Sequence, residues 1–81
     1  MKLRWEHRDS GQYDYVLTRN GEDLPIGIEL SGYYGYDADA TWHICYDLRA
    51  RYVGQDIVER YNGLKTAKAE GIRIAREEYP R

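Results

Sequence analysis

The run Tyr13-Asp14-Tyr15-Val16-Leu17 has turn signals on both sides, Asp9-Ser10-Gly11 before it and Asn20-Gly21 after it. Asn-Gly suits a two-residue hairpin loop, whose backbone needs positive φ. Such a loop sets Leu17 opposite Leu24, Tyr15 opposite Ile26 and Tyr13 opposite Ile28. A three-residue loop at Asp9-Ser10-Gly11, with Gly11 left-handed, sets Leu17 opposite Leu3, Tyr15 opposite Trp5 and Tyr13 opposite His7. Both turns therefore assign apolar and aromatic residues to one face of the same strand. A slip of one residue in either turn would send them to opposite faces.

The rest of the chain fits around this strand. Leu3, Trp5 and His7 alternate with Lys2, Arg4, Glu6 and Arg8, which predicts a half-buried strand over 2–8. A second strand covers 12–19, and a third covers 22–30 with Leu24, Ile26, Ile28 and Leu30 inward. Pro25 lacks an amide donor and belongs at a sheet edge or a strand start. Gly27 either weakens the outer face or lets another group approach closely. Trp42, Ile44, Tyr46 and Leu48 alternate with Thr41, His43, Cys45 and Asp47, a fourth strand over about 40–48.

Residues 49–62 admit two readings. Asp56 followed by Glu59 fits a capping box and a short helix, whereas Ile57-Val58 suits a brief strand. An irregular or short helical connection is the expectation here. From about 63 to 79, Leu64, Ala67, Gly71, Ile72, Ile74, Ala75 and Tyr79 share one side of a helix that Pro80 ends. A mid-helix glycine costs ~1 kcal/mol against alanine. Gly71 is therefore expected to pack against a tyrosine or tryptophan ring of the sheet. Lys65 and Lys68 lie near the positive end of the helix dipole, and Glu77 and Glu78 near the negative end. Both placements oppose the dipole. The fold class is thus α+β: an antiparallel meander of three to four strands with one C-terminal helix on one face, in a single domain over 1–81.

Composition narrows the function classes. One cysteine, Cys45, excludes an internal disulfide and suits a reducing cytoplasm. No apolar run approaches the ~20 residues of a membrane helix, so no membrane partner is expected. Residues 1–40 carry four Lys/Arg against eight Asp/Glu, and residues 41–81 carry eight against six. A net charge of −2 does not describe a general nucleic-acid binder, but it leaves room for a local basic strip.

Chemical constellations are sparse. His43 and Cys45 share a strand face without a second pair to complete a zinc set. Asp37 and Asp39 lack the glycine and glutamate of a calcium loop. Glu6 falls opposite Asp14 in the first hairpin register, a carboxylate pair on an open face rather than in a pocket. No catalytic residue, metal or cofactor is expected, and the chain reads as a non-enzyme.

Binding surfaces remain. Ser31–Asp39 reads as a glycine-hinged loop carrying Tyr33, Tyr34, Tyr36, Asp37 and Asp39. Tyrosines there either offer a large contact area at low entropy cost or fold back over the core edge. The loop is the candidate partner-binding site, for a host protein or complex. The alternative is a nucleic-acid-binding strip of Arg49, Arg51, Arg60, Lys65 and Arg73 with Tyr52 and Tyr61 interleaved. An uncovered edge strand would also allow a homodimer.

A strand meander, a Trp-bearing strand and a helix opening Leu64-Lys65-Thr66-Ala67-Lys68 resemble small phage- or prophage-encoded accessory proteins. In size and layout the chain is similar to anti-CRISPR proteins. The likeness concerns the order of elements along the whole chain and transfers no residue role. It implies a compact phage-derived inhibitor of a host complex, acting in the host cytoplasm. The mild acidity departs from the strongly acidic nucleic-acid mimics.

Overall fold

The computed structural model describes residues 2–36, 42–52 and 55–80, with side chains described at 2–30, 45–51 and 55–80. Five antiparallel strands form one sheet in sequence order: β1 (Leu3–His7), β2 (Tyr15–Arg19), β3 (Glu22–Tyr36), β4 (Trp42–Tyr52) and β5 (Gln55–Asn62). One helix, α1 (Leu64–Glu78), follows. The α+β class and the C-terminal helix are as expected. The strand count is higher because 49–62 is extended: β4 runs to Tyr52, and β5 replaces the irregular or helical connection. Cross-strand charge pairs favour this outcome over the capping box. Asp56 meets Arg51 at 2.8 Å and Arg60 meets Asp47 at 3.0 Å.

The Asn20-Gly21 turn forms as expected, with φ of 52° and 88° and Arg19 opposite Glu22. Beyond it the register moves by two. Thr18 faces Asp23, but Val16 faces Gly27 and Tyr15 faces Ile28 rather than Ile26. β3 spends two extra residues in a bulge around Pro25, which has no amide to give the ladder. The first hairpin also shifts by two. Trp5 faces Leu17 and His7 faces Tyr15, because the connection covers 8–14 rather than three residues. Gly11 keeps its positive φ of 99°. A two-residue shift preserves the alternation, so the apolar residues within β1, β2 and β3 keep their face. Tyr13 does not: it falls in the connection before β2, and its ring lies on Gly27 on the opposite face rather than beside Ile28.

That face carries Leu17, Ile26, Ile28, Leu48 and Ala50, all buried, against Ala67, Ile74 and Ala75 of α1. Trp5 lies over Gly71, where a Cβ would overlap its ring, and its indole Nε1–H donates to the Lys68 carbonyl at 3.1 Å. The helix ends are stabilised from outside. Arg19, buried beneath the last turn, donates its guanidinium to the carbonyls of Ala75 and Tyr79. It thus supplies the positive charge the C-terminus wants. Lys68 sits 4.2 Å from the centre of the Tyr15 ring, a cation–π contact that offsets its place in the helix. Glu77 pairs with Arg73. No described helix is long and apolar enough to cross a membrane.

Candidate functional site

β3 and β4 are the longest strands, and their far ends pass beyond both neighbours. On one side, β2 leaves β3 after Tyr15. Asp14 closes that end: its N–H donates to the Ile28 carbonyl at 2.8 Å and its carboxylate accepts from the Leu30 N–H at 2.7 Å. On the other side, Asn62 opposite Cys45 is the last pair between β4 and β5. There the Cys45 thiol donates to the Asn62 side-chain carbonyl at 3.2 Å. The chain then turns away through Gly63, whose φ of 92° suits a residue without Cβ.

Past these two points β3 and β4 pair only with each other among the described residues. Tyr34 faces Ile44, Gly35 faces His43 and Tyr36 faces Trp42, and Tyr33 lies in a second bulge between Leu30 and Tyr34. The result is a two-stranded ribbon leaving a five-stranded sheet. It corrects the expected loop: 31–36 is strand, because the aromatic residues find partners of high β propensity in Trp42 and Ile44. Asp37 and Asp39 of the expected site lie outside the described residues. Tyr33, Tyr34 and Tyr36 are placed on the ribbon by their backbone.

The basic strip is not one surface. Arg49, Arg51 and Arg60 stand on the sheet face opposite α1, and each has an acidic partner. Arg49 lies 3.5 Å from Glu29, Arg51 holds Asp56 and Arg60 holds Asp47. Donating its Nε–H to Asp56 raises the Arg51 guanidinium pKa above its ordinary value. Tyr61 belongs to the other face, packed against the core, with its hydroxyl donating to Glu59 at 2.9 Å. Burial, then Glu59, pushes its phenol up to about 12. Lys65 is exposed in the first turn of α1. Arg73 grips Glu70, whose carboxyl that hydrogen bond holds below its usual range, and also pairs with Glu77. The Tyr52 side chain lies outside the described residues.

The expected Glu6–Asp14 carboxylate pair is also corrected by the register shift. Glu6 faces Val16 and lies 3.5 Å from Arg8, while Asp14 is turned towards Leu30. Among the described residues no three His, Cys, Asp or Glu side chains gather to hold a metal.

One feature escaped the sequence reading. On the face opposite α1, a cleft of about 440 Å³ runs between Tyr13, Val16, Pro25 and Val58, with Arg49 and Arg51 along its side. Tyr13 forms one wall because its ring lies on Gly27, where a Cβ would stand 2.7 Å from Tyr13 Cγ. Gly27 was the readable signal of a close approach, but the ring that fills it comes from outside the strands. Comparison finds no family model matching the chain, and no curated protein or solved structure significantly similar to it.

Proposed function

We propose that this chain is a non-enzymatic protein-binding module whose contact element is the β3–β4 ribbon. The observation that carries the reading is the ribbon's isolation: past Leu30 and Cys45 it has no flanking strand among the described residues. Two-stranded ribbons are marginal alone, so this one is rooted in the sheet and free at its edges. Free strand edges offer main-chain hydrogen bonds to a partner. Tyr33, Tyr34, Tyr36 and Trp42 add the residue types enriched at protein interfaces. The resemblance to phage accessory proteins makes the partner a host defence or nucleic-acid-processing complex in the host cytoplasm.

The test is capture from bacterial lysate by the tagged chain. A Tyr34→Ala, Asp37→Ala double variant is expected to lose the captured partner while melting like the parent. Full capture by that variant would remove the assignment. The nucleic-acid reading has weaker support, because the arginines that would hold phosphates already hold carboxylates. It requires binding that weakens steeply with salt; absence of binding at low salt would eliminate it.

A further inference from the structure

The sheet is open, and β5 is one of its two edges. The edges differ. β1 is five residues long, whereas β5 is eight, and it pairs with β4 without any register break from Cys45–Asn62 to Tyr52–Gln55. β5 contains no proline, lysine or bulge to guard its edge; its charges are Asp56, Glu59 and Arg60. It also carries Val58, the one exposed large hydrophobic residue among those described, at 52% exposure.

We propose that β5 is the interface of a homodimer, in which two copies pair edge to edge, antiparallel, about a two-fold axis at Val58. The sheets then join into one of ten strands. A two-fold axis perpendicular to the sheet keeps each face on its own side, so opposed residues must come from the same face. Only registers centred on a residue satisfy this. Centring on Glu59 sets Glu59 against its own copy. Centring on Ile57 sets Asp56 against Val58. Centring on Val58 sets Val58 against Val58 and each Asp56 against Arg60 of the second copy.

The charges support that register. Asp56 is already held by Arg51 and Arg60 by Asp47, all on the face opposite α1. Across the axis the row becomes Arg51, Asp56, Arg60 and Asp47, with signs alternating through both copies and no like charges adjacent. Opposite-charge pairs of this kind fix register at sheet interfaces. The same axis points the two β3–β4 ribbons out of opposite ends of the joined sheet.

Sedimentation equilibrium of the full chain tests this. The parent is expected to show a monomer–dimer equilibrium; a chain that stays monomeric throughout its soluble range overturns the proposal. Asp56→Arg alone and Arg60→Asp alone each set like charges across the axis twice. Each is expected to weaken dimerisation by about tenfold or more. An equimolar mixture of the two variants restores opposite charges at both contacts and is expected to recover parental affinity as a heterodimer. Single variants that dimerise like the parent, or a mixture that fails to associate, would overturn it. Each single variant also loses one pair within its own chain, so Val58→Glu, which breaks none and faces Arg49 of β4 while setting like charges against each other at the axis, supplies an independent arm. It is expected to be monomeric with an unchanged melt, and a dimer there contradicts the register.

Discussion

Gly71 of α1 and Trp5 of β1 are in contact so close that a Cβ on the glycine would stand 2.8 Å from Cη2 of the indole. The ring cannot retreat easily, because its Nε1–H is tied to the Lys68 carbonyl one turn away. Gly71→Ala gains ~1 kcal/mol of helix propensity. Overpacking against a fixed ring costs more, and the variant is expected to lose about 1–2 kcal/mol in chemical denaturation. In a Trp5→Leu background the penalty is expected to vanish or reverse. A parent chain stabilised by Gly71→Ala would show that the contact does not set the helix's distance from the sheet.

Arg19 is a buried cation whose partners are the carbonyls at the end of α1. Arg19→Leu keeps the stem's bulk and removes the donors. Each hydrogen bond to a charged group contributes roughly 1.5–3 kcal/mol, so a loss of at least about 2 kcal/mol is expected. Amide exchange should quicken most in the last turn, around Ala75 to Tyr79. Uniform quickening along the whole helix would argue against a capping role.

Tyr61 gives the alkaline limit of stability. Its folded phenol titrates at about 12 against 10 in a free chain, so the folded state favours the neutral form. That contribution is whole below pH ~10 and is lost as pH rises towards the folded value. The denaturation midpoint of the parent is expected to fall over this window more steeply than that of Tyr61→Phe. Identical slopes would contradict the burial of Tyr61. At the acid end, Arg8 holds the Asp23 carboxyl below its ordinary value. The contribution of that exposed pair is whole above the normal carboxylate range and is lost as pH falls through the lowered folded value, a small effect that salt screens.

The parts of the fold legible in the sequence are those fixed by short-range chemistry. Asn20-Gly21 announced its turn, the apolar stripe of α1 announced its buried side, and Gly71 announced an aromatic ring above it. The two-residue register shifts were not legible. The bulge at Pro25 and the long connection over 8–14 leave the alternation unchanged, and alternation is all that the pattern records. β5 was hidden because Asp56 and Glu59 imitate a helix start, while their true partners, Arg51 and Tyr61, depend on the strand pairing and pleat. The glycines of 31–36 suggested a hinge; in a ribbon they occupy strand positions without breaking it. The proposed contact residues were readable as types, but their place on a rooted ribbon required the neighbouring strands.

The ribbon is claimed to serve recognition while the sheet behind it serves stability. Replacing 32–44 with Asn-Gly continues the Leu30–Tyr46 register and closes β3 onto β4 with a tight turn. The most direct measurement is denaturation of this shortened chain alongside its capture of partner from bacterial lysate. A cooperative melt close to that of the full chain is expected together with loss of capture. A shortened chain that still captures the partner, or that fails to fold, would contradict this claim.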